Sequence, residues 1–126
     1  MANNANTTEL CNYLRFCDTA GDKIKTGSGN YTDIVIPTNT ILAIGGDAAA
    51  AKVKILFQAV NGSATDDSVD IDYDISKFGL PFVINEIVKF IQKPGRGVID
   101  ICDVNTGFRF NDVLASPAAC TINVQD

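Results

Sequence analysis

The sequence predicts a mainly β protein, a small curled sheet or barrel of five to seven short strands with one helix packed against it. Three observations carry this. Short β-prone runs recur along the 126 residues, punctuated by Gly, Pro, Asn and Asp. A single segment has helical period. No second helical segment alternates with the strands, so a doubly wound fold is not indicated. The length suits one domain, and 46% hydrophobic residues is ample for a core.

In chain order, residues 1–11 are polar and rich in Asn and Thr, and read as a flexible arm ahead of a single domain at 12–126. Tyr13-Leu14-Arg15-Phe16-Cys17 is the first β-prone run. Residues 18–32, with Gly21, Gly27 and Gly29, read as a loop. Asp33-Ile34-Val35-Ile36-Pro37 is the second run, ended by its proline. Ile41-Leu42-Ala43-Ile44 is the third, closed by Gly45-Gly46.

The clearest strand is Lys52 to Val60. Val53, Ile55, Phe57 and Ala59 point one way; Lys52, Lys54 and Gln58 point the other, with Leu56 an exception. Asn61-Gly62 begins a turn. In the next strand Val69, Ile71, Tyr73 and Ile75 alternate with Asp70, Asp72 and Asp74. The two strands form a hairpin whose wet face brings lysines near aspartates, in a register that the sequence leaves open.

From Leu80 to Lys93 the stripe Val83, Ile84, Ile87, Val88 and Ile91 marks a helix with a polar face of Asn85, Glu86, Lys89, Gln92 and Lys93. Pro81 is tolerated in its first turn, and Pro94-Gly95 ends it. A single βαβ-like crossover through this helix is conceivable. Val98 to Val104 is a strongly apolar strand. Asn105-Thr106-Gly107 is a turn, and Phe108 to Leu114 a weaker strand or extended loop. Cys120 to Val124 is the last strand, with Cys120, Ile122 and Val124 on one face.

The chemistry is narrow. Without histidine, the chain supplies no Ser-His-Asp triad, no Cys-His pair and no His-ligated zinc. The cysteines, Cys11, Cys17, Cys102 and Cys120, lack CxxC spacing and are expected to be free, buried thiols; outside a cell, a bridge between the early and late ones is an alternative. Neither a catalytic residue, a cofactor nor a metal site is expected. The N-terminal residues have no basic and apolar signal-peptide pattern, and no run approaches the ~20 residues of a membrane span. The expected location is a cytoplasm.

The aspartates at 66, 67, 70, 72 and 74 fit a calcium loop only in part. From Asp70, the position that demands Gly holds Ile75, and the twelfth holds Pro81. They read as a solvated strand face, with weak cation binding as the lesser alternative. Glu86 reads as solvated on the helix. Asp100 and Asp103 read as structural, with Arg96 or Arg109 as partner. Lys93, Arg96 and Arg109, interleaved with Phe108 and Phe110, are candidate contacts to single-stranded nucleic acid. The net charge of −5 comes from 15 acids and 10 bases. Because five of those acids fall in 66–74, the acidity is local.

Tyr13-Leu14-Arg15-Phe16, Ile34-Val35-Ile36-Pro37, Ile41-Leu42-Ala43-Ile44, Lys54-Ile55-Leu56-Phe57, the Val69–Ile75 strand, the Val83–Ile91 helix, Val98-Ile99-Asp100-Ile101-Cys102-Asp103 and Ala119-Cys120-Thr121-Ile122-Asn123-Val124 together resemble a group of small, uncharacterised proteins from marine viruses, chiefly cyanophage-like. The resemblance spans roughly residues 12–125 and carries over no site residue. It implies an Sm-like β-barrel that assembles into a ring through its edge strands. Two functions are expected. The first is a non-enzymatic phage structural protein, made in the host cytoplasm, that forms symmetric homo-oligomers and joins virion proteins. The alternative is an Sm-like ring that binds RNA or single-stranded DNA.

Overall fold

The β-prone runs become strands and the 3.6-residue stripe becomes a helix, but the strands divide between two sheets. The computed structural model describes residues 12–18, 33–58, 67–92 and 97–123. Among these, eight strands and one α-helix follow in order: β1 (Tyr13–Cys17), β2 (Asp33–Pro37), β3 (Ile41–Asp47), β4 (Lys52–Phe57), β5 (Asp67–Asp72), α1 (Leu80–Ile91), β6 (Val98–Asp103), β7 (Phe108–Arg109) and β8 (Cys120–Asn123). One sheet has the order β2-β1-β6-β7 and the other β3-β4-β5-β8. The sheets are not closed into a barrel, and eight described strands exceed the five to seven expected. Short strands split between two layers leave their end strands unpaired, where a barrel would join them.

The second sheet is antiparallel throughout. The first is mixed: β1 runs antiparallel to β2 and parallel to β6. Inward residues of both sheets and of α1 make one core, with Leu14, Phe16, Val53, Ile55, Ile71 and Ile87 fully shielded from solvent. Each such side chain contributes about 1.5–3 kcal/mol of burial. β1 and β2 begin and end where their apolar alternation does, with Leu14, Phe16, Ile34 and Ile36 buried.

Several expectations are corrected. β3 does not stop at Gly45-Gly46 but runs through both to Asp47. The reason is a close approach: a Cβ on Gly46 would lie 2.6 Å from both Leu80 Cδ1 and the Lys52 carbonyl oxygen. β5 ends at Asp72; Tyr73 makes an isolated bridge to Leu114, and the Asp74 carbonyl starts a turn by accepting from Lys77 and Phe78. Ile75, expected in the core with Tyr73, is therefore exposed. Asp67 is not solvated: paired with Phe57 at the inward-facing start of β5, it is fully buried.

α1 ends at Ile91, where the buried Asn12 side chain donates to the Ile91 carbonyl at 3.3 Å and satisfies one of the helix's terminal acceptors. The helix joins β5 of one sheet to β6 of the other, so it is not a βαβ crossover. β7 keeps only two residues of the extended segment expected over 108–114. The 1–11 arm, most of the 18–32 loop, the Asn61-Gly62 turn, the Pro94-Gly95 stop and Val124 lie outside the described residues. Among the described residues no helix is long and apolar enough to cross a membrane.

Candidate functional site

The candidate nucleic-acid residues gather around the turn after β6. Gly107, with φ +81°, closes this turn, and Asp103 holds it: its Oδ1 accepts from the backbone N–H groups of Asn105 (2.9 Å) and Thr106 (3.3 Å). The chain then returns as β7, pairing Phe108 with Asp103 and Arg109 with Cys102. Phe108 is 46% exposed. Arg109 Nη1 donates to the Leu114 carbonyl at 3.0 Å, and Nη2 lies 3.6 Å from Asp112 Oδ1. Phe110 packs its ring on Phe90 of α1, centroids 4.7 Å apart. The three thus face three different surroundings: solvent, the 112–114 turn and the helix. Lys93 and Arg96 lie outside the described residues.

Arg109 also lines a cleft of about 360 Å³ with Asp74, Lys77, Phe78, Asp112 and Ser116. Two cations there stand against two carboxylates. The Ser76 hydroxyl and N–H hydrogen bonds, with Lys77 and Arg109 nearby, hold the Asp74 carboxyl below its ordinary range. Glu86 is engaged on the helix, accepting from Lys89 at 3.1 Å and from the Asn111 amide at 3.4 Å.

The register left open by the sequence is fixed in the second sheet. Lys52 pairs with Asp72 and Lys54 with Asp70 directly across β4 and β5, at 2.6 and 3.1 Å. The Asp72 hydrogen bond raises the Lys52 pKa. A cleft of about 320 Å³ crosses this face, lined by Gly45, Gly46, Asp47, Lys52, Lys54 and Asp70, among others. Each lysine meets a carboxylate, and Asp47 leaves the face one acid in excess. Among the described residues no group of three or more Cys, Asp or Glu side chains is arranged to hold a metal ion.

The first sheet holds a centre that the sequence reading missed. Among the described residues the partner of Asp100 and Asp103 is Arg15 and not the expected Arg109; Arg96, the other expected partner, lies outside the described residues. The Arg15 guanidinium lies 2.8 Å from Asp33, 3.2 Å from Asp100 and 3.4 Å from Asp103. Strand register explains the choice: β2 and β6 flank β1 and place Val35 and Asp100 beside Arg15. The hydrogen bonds that Arg15 donates to Asp33 and Asp100 fix it in its charged form. Burial pushes the Asp103 carboxyl up, but the Thr106 N–H, Arg15, Cys17 and the Asn105 N–H together hold it below its usual range. Beside this centre Tyr13, Val35 and Val98 are exposed, Tyr13 pairing with Val98. The only signal in the sequence was the alternation that puts Arg15 on the face opposite Leu14 and Phe16.

Compared with known protein families, with curated proteins and with solved structures, the chain matches none of them.

Proposed function

We propose that the protein is a non-enzymatic structural protein that assembles into symmetric homo-oligomers and serves as a phage virion component, the role implied by its resemblance to small marine-virus proteins. The observation that supports assembly is the outer edge of β3. It is seven residues long, it is the end strand of its sheet, and among the described residues nothing pairs with its outer side. Edges guarded against self-association carry lysine, proline or a bulge. β3 has no lysine or proline. Its one register shift, at Leu42, guards only the start of the edge: Ala43 to Asp47 run in regular register, and Leu42 itself is apolar and 57% exposed. The opposite edge of the sheet is guarded: the Asp18 carboxylate accepts from the Ile122 N–H of β8 at 3.0 Å. One open edge and one blocked edge favour pairing of β3 with β3 of a second copy, a two-fold interface from which larger rings are built by further contacts. An open sandwich still allows ring assembly of the kind the Sm-like resemblance implies, since such rings close through strand edges.

The test is light scattering over a range of concentrations. The wild-type chain is expected to run as an oligomer, and Ala43→Lys, which adds charge beside the edge, to run as a monomer with an unchanged far-ultraviolet spectrum. A wild-type chain that stays monomeric at high concentration overturns assembly. Purified particles that never contain the protein by mass spectrometry overturn the virion role.

A further inference from the structure

Cys102 and Cys120 belong to different sheets, on β6 and β8, and are 1% and 8% exposed. Plain alternation does not bring them together. Ile99 and Ile101 point inward, so the next residue of a regular strand points out. The β1–β6 register shifts at this point: Arg15 pairs with Asp100 and Phe16 with Cys102, leaving Ile101 as the extra residue of a bulge. The bulge turns Cys102 inward after Ile101. Across the core, Ile71 pairs with Cys120 at the start of β8. The Cys120 thiol donates to the Cys17 carbonyl at 3.4 Å, which anchors it against β1, the neighbour of β6. Cys102 pairs with Phe16, the residue before Cys17, so the two thiols approach the same stretch of β1, one from β6 and one from β8. Their titrations are linked, the interaction between them lowering the Cys102 pKa and raising that of Cys120. No disulfide joins the described cysteines.

We propose that Cys102 and Cys120 are an oxidisable pair that closes into a disulfide bond tying the two sheets together when the protein meets a peroxide. The step balances. One sulfur attacks the peroxide O–O bond and becomes a sulfenic acid, releasing one water; the second sulfur displaces the sulfenic oxygen as another water. Two S–H bonds are lost, one S–S bond forms, and the two electrons reduce hydrogen peroxide to two waters. Closure brings the two sulfurs to the ~2.05 Å of a disulfide. β8 is an edge strand of four residues, so local fraying gives a small oxidant access to Cys120. The bond closes the loop from 102 to 120, which includes β7 and the turns that follow it. Two core thiols acting only as small apolar residues would have no such product.

The sequence makes the test clean. Trypsin cleavage after Arg96 and Arg109 yields Gly97–Arg109, carrying Cys102 alone, and Phe110–Asp126, carrying Cys120 alone; Cys11 and Cys17 fall in two further peptides. The full chain is treated with hydrogen peroxide, alkylated in denaturant and mapped without reduction. The expected product is the Gly97–Arg109 to Phe110–Asp126 cross-link, released by dithiothreitol, with a melting temperature about 10 °C above that of the reduced chain. Cys17→Ser keeps the cross-link and Cys120→Ser removes it; if Cys120→Ser does not fold, the map of the native chain decides alone. Alkylation of all four thiols after peroxide, or a bridge that uses Cys11 or Cys17 and leaves Cys102 free, overturns the proposal.

Discussion

Asp103 shows how one side chain carries several tasks. It caps the turn that leads into β7, and it is the most buried of the three carboxylates on Arg15, its side chain 11% exposed against 46% and 47% for Asp33 and Asp100. The two exposed pairs contribute little in water. Asp103 contributes more, because its hydrogen bonds to charged and backbone groups are shielded. Its pKa is lowered in the folded chain, so its stabilisation is complete above the unfolded value of about 4 and is lost as the pH falls through the folded value. Asp103→Asn is therefore expected to cost about 1–3 kcal/mol at neutral pH. It should also flatten the loss of stability between about pH 5 and pH 2. Urea denaturation of both proteins across that range measures this; parallel pH profiles would contradict it. The Arg15 centre was invisible in the sequence for a simple reason. Arg15 and Asp100 are 85 positions apart, and nothing local says that β1 and β6 are neighbours.

At the scale of the element, legibility followed the local pattern and failed where another layer intervened. β1 and β2 were bounded by their own apolar runs, and Val83 and Ile87 fell on the buried stripe of α1 as the 3.6-residue period required. The sequence pattern ends β3 at Gly45-Gly46, because glycine usually interrupts a strand. Gly46 instead belongs to the strand, its bare face covered by Leu80 of the helix. Gly46→Ala must push Leu80 aside and also move the Lys52 carbonyl. It is expected to destabilise the chain by about 1–3 kcal/mol. Gly45→Ala, with open space at its Cβ position, is the control and should change stability far less. Thermal denaturation of the pair measures the difference; equal midpoints would remove the close approach as the reason for glycine. The β6 bulge was equally hidden, since Ile101-Cys102 reads as one alternating pair when the partner strand is unknown. Of the nucleic-acid candidates, the exposure of Phe108 follows from its place in β7, but the separation of Arg109 and Phe110 depends on the 112–114 turn and on α1, which no local pattern announces.

At the scale of the molecule, both sheets and the helix share one core, from Leu14 and Phe16 on one side to Val69 and Ile71 on the other. Loss of either sheet would expose the inner face of the other, so the described part is expected to unfold in one step. Two of the three tyrosines report on both layers: Tyr13 lies on the outer face of the first sheet, and Tyr73 is buried at the end of β5, while Tyr31 lies outside the described residues. Urea transitions followed by tyrosine fluorescence and by far-ultraviolet circular dichroism should coincide; two separated transitions would show sheets that stand alone. The parallel pairing of β1 with β6 has one more consequence, in the order of events during synthesis. β3, β4 and β5 follow one another in the chain and can pair with each other as soon as they leave the ribosome, with β8 added last. β1 emerges before them, yet its pairing with β6 waits for more than eighty further residues. Contacts so distant along the chain slow folding. β1 thus precedes β3, β4 and β5 in the chain yet is completed after them, and any truncation before Val98 leaves β1 without its parallel neighbour.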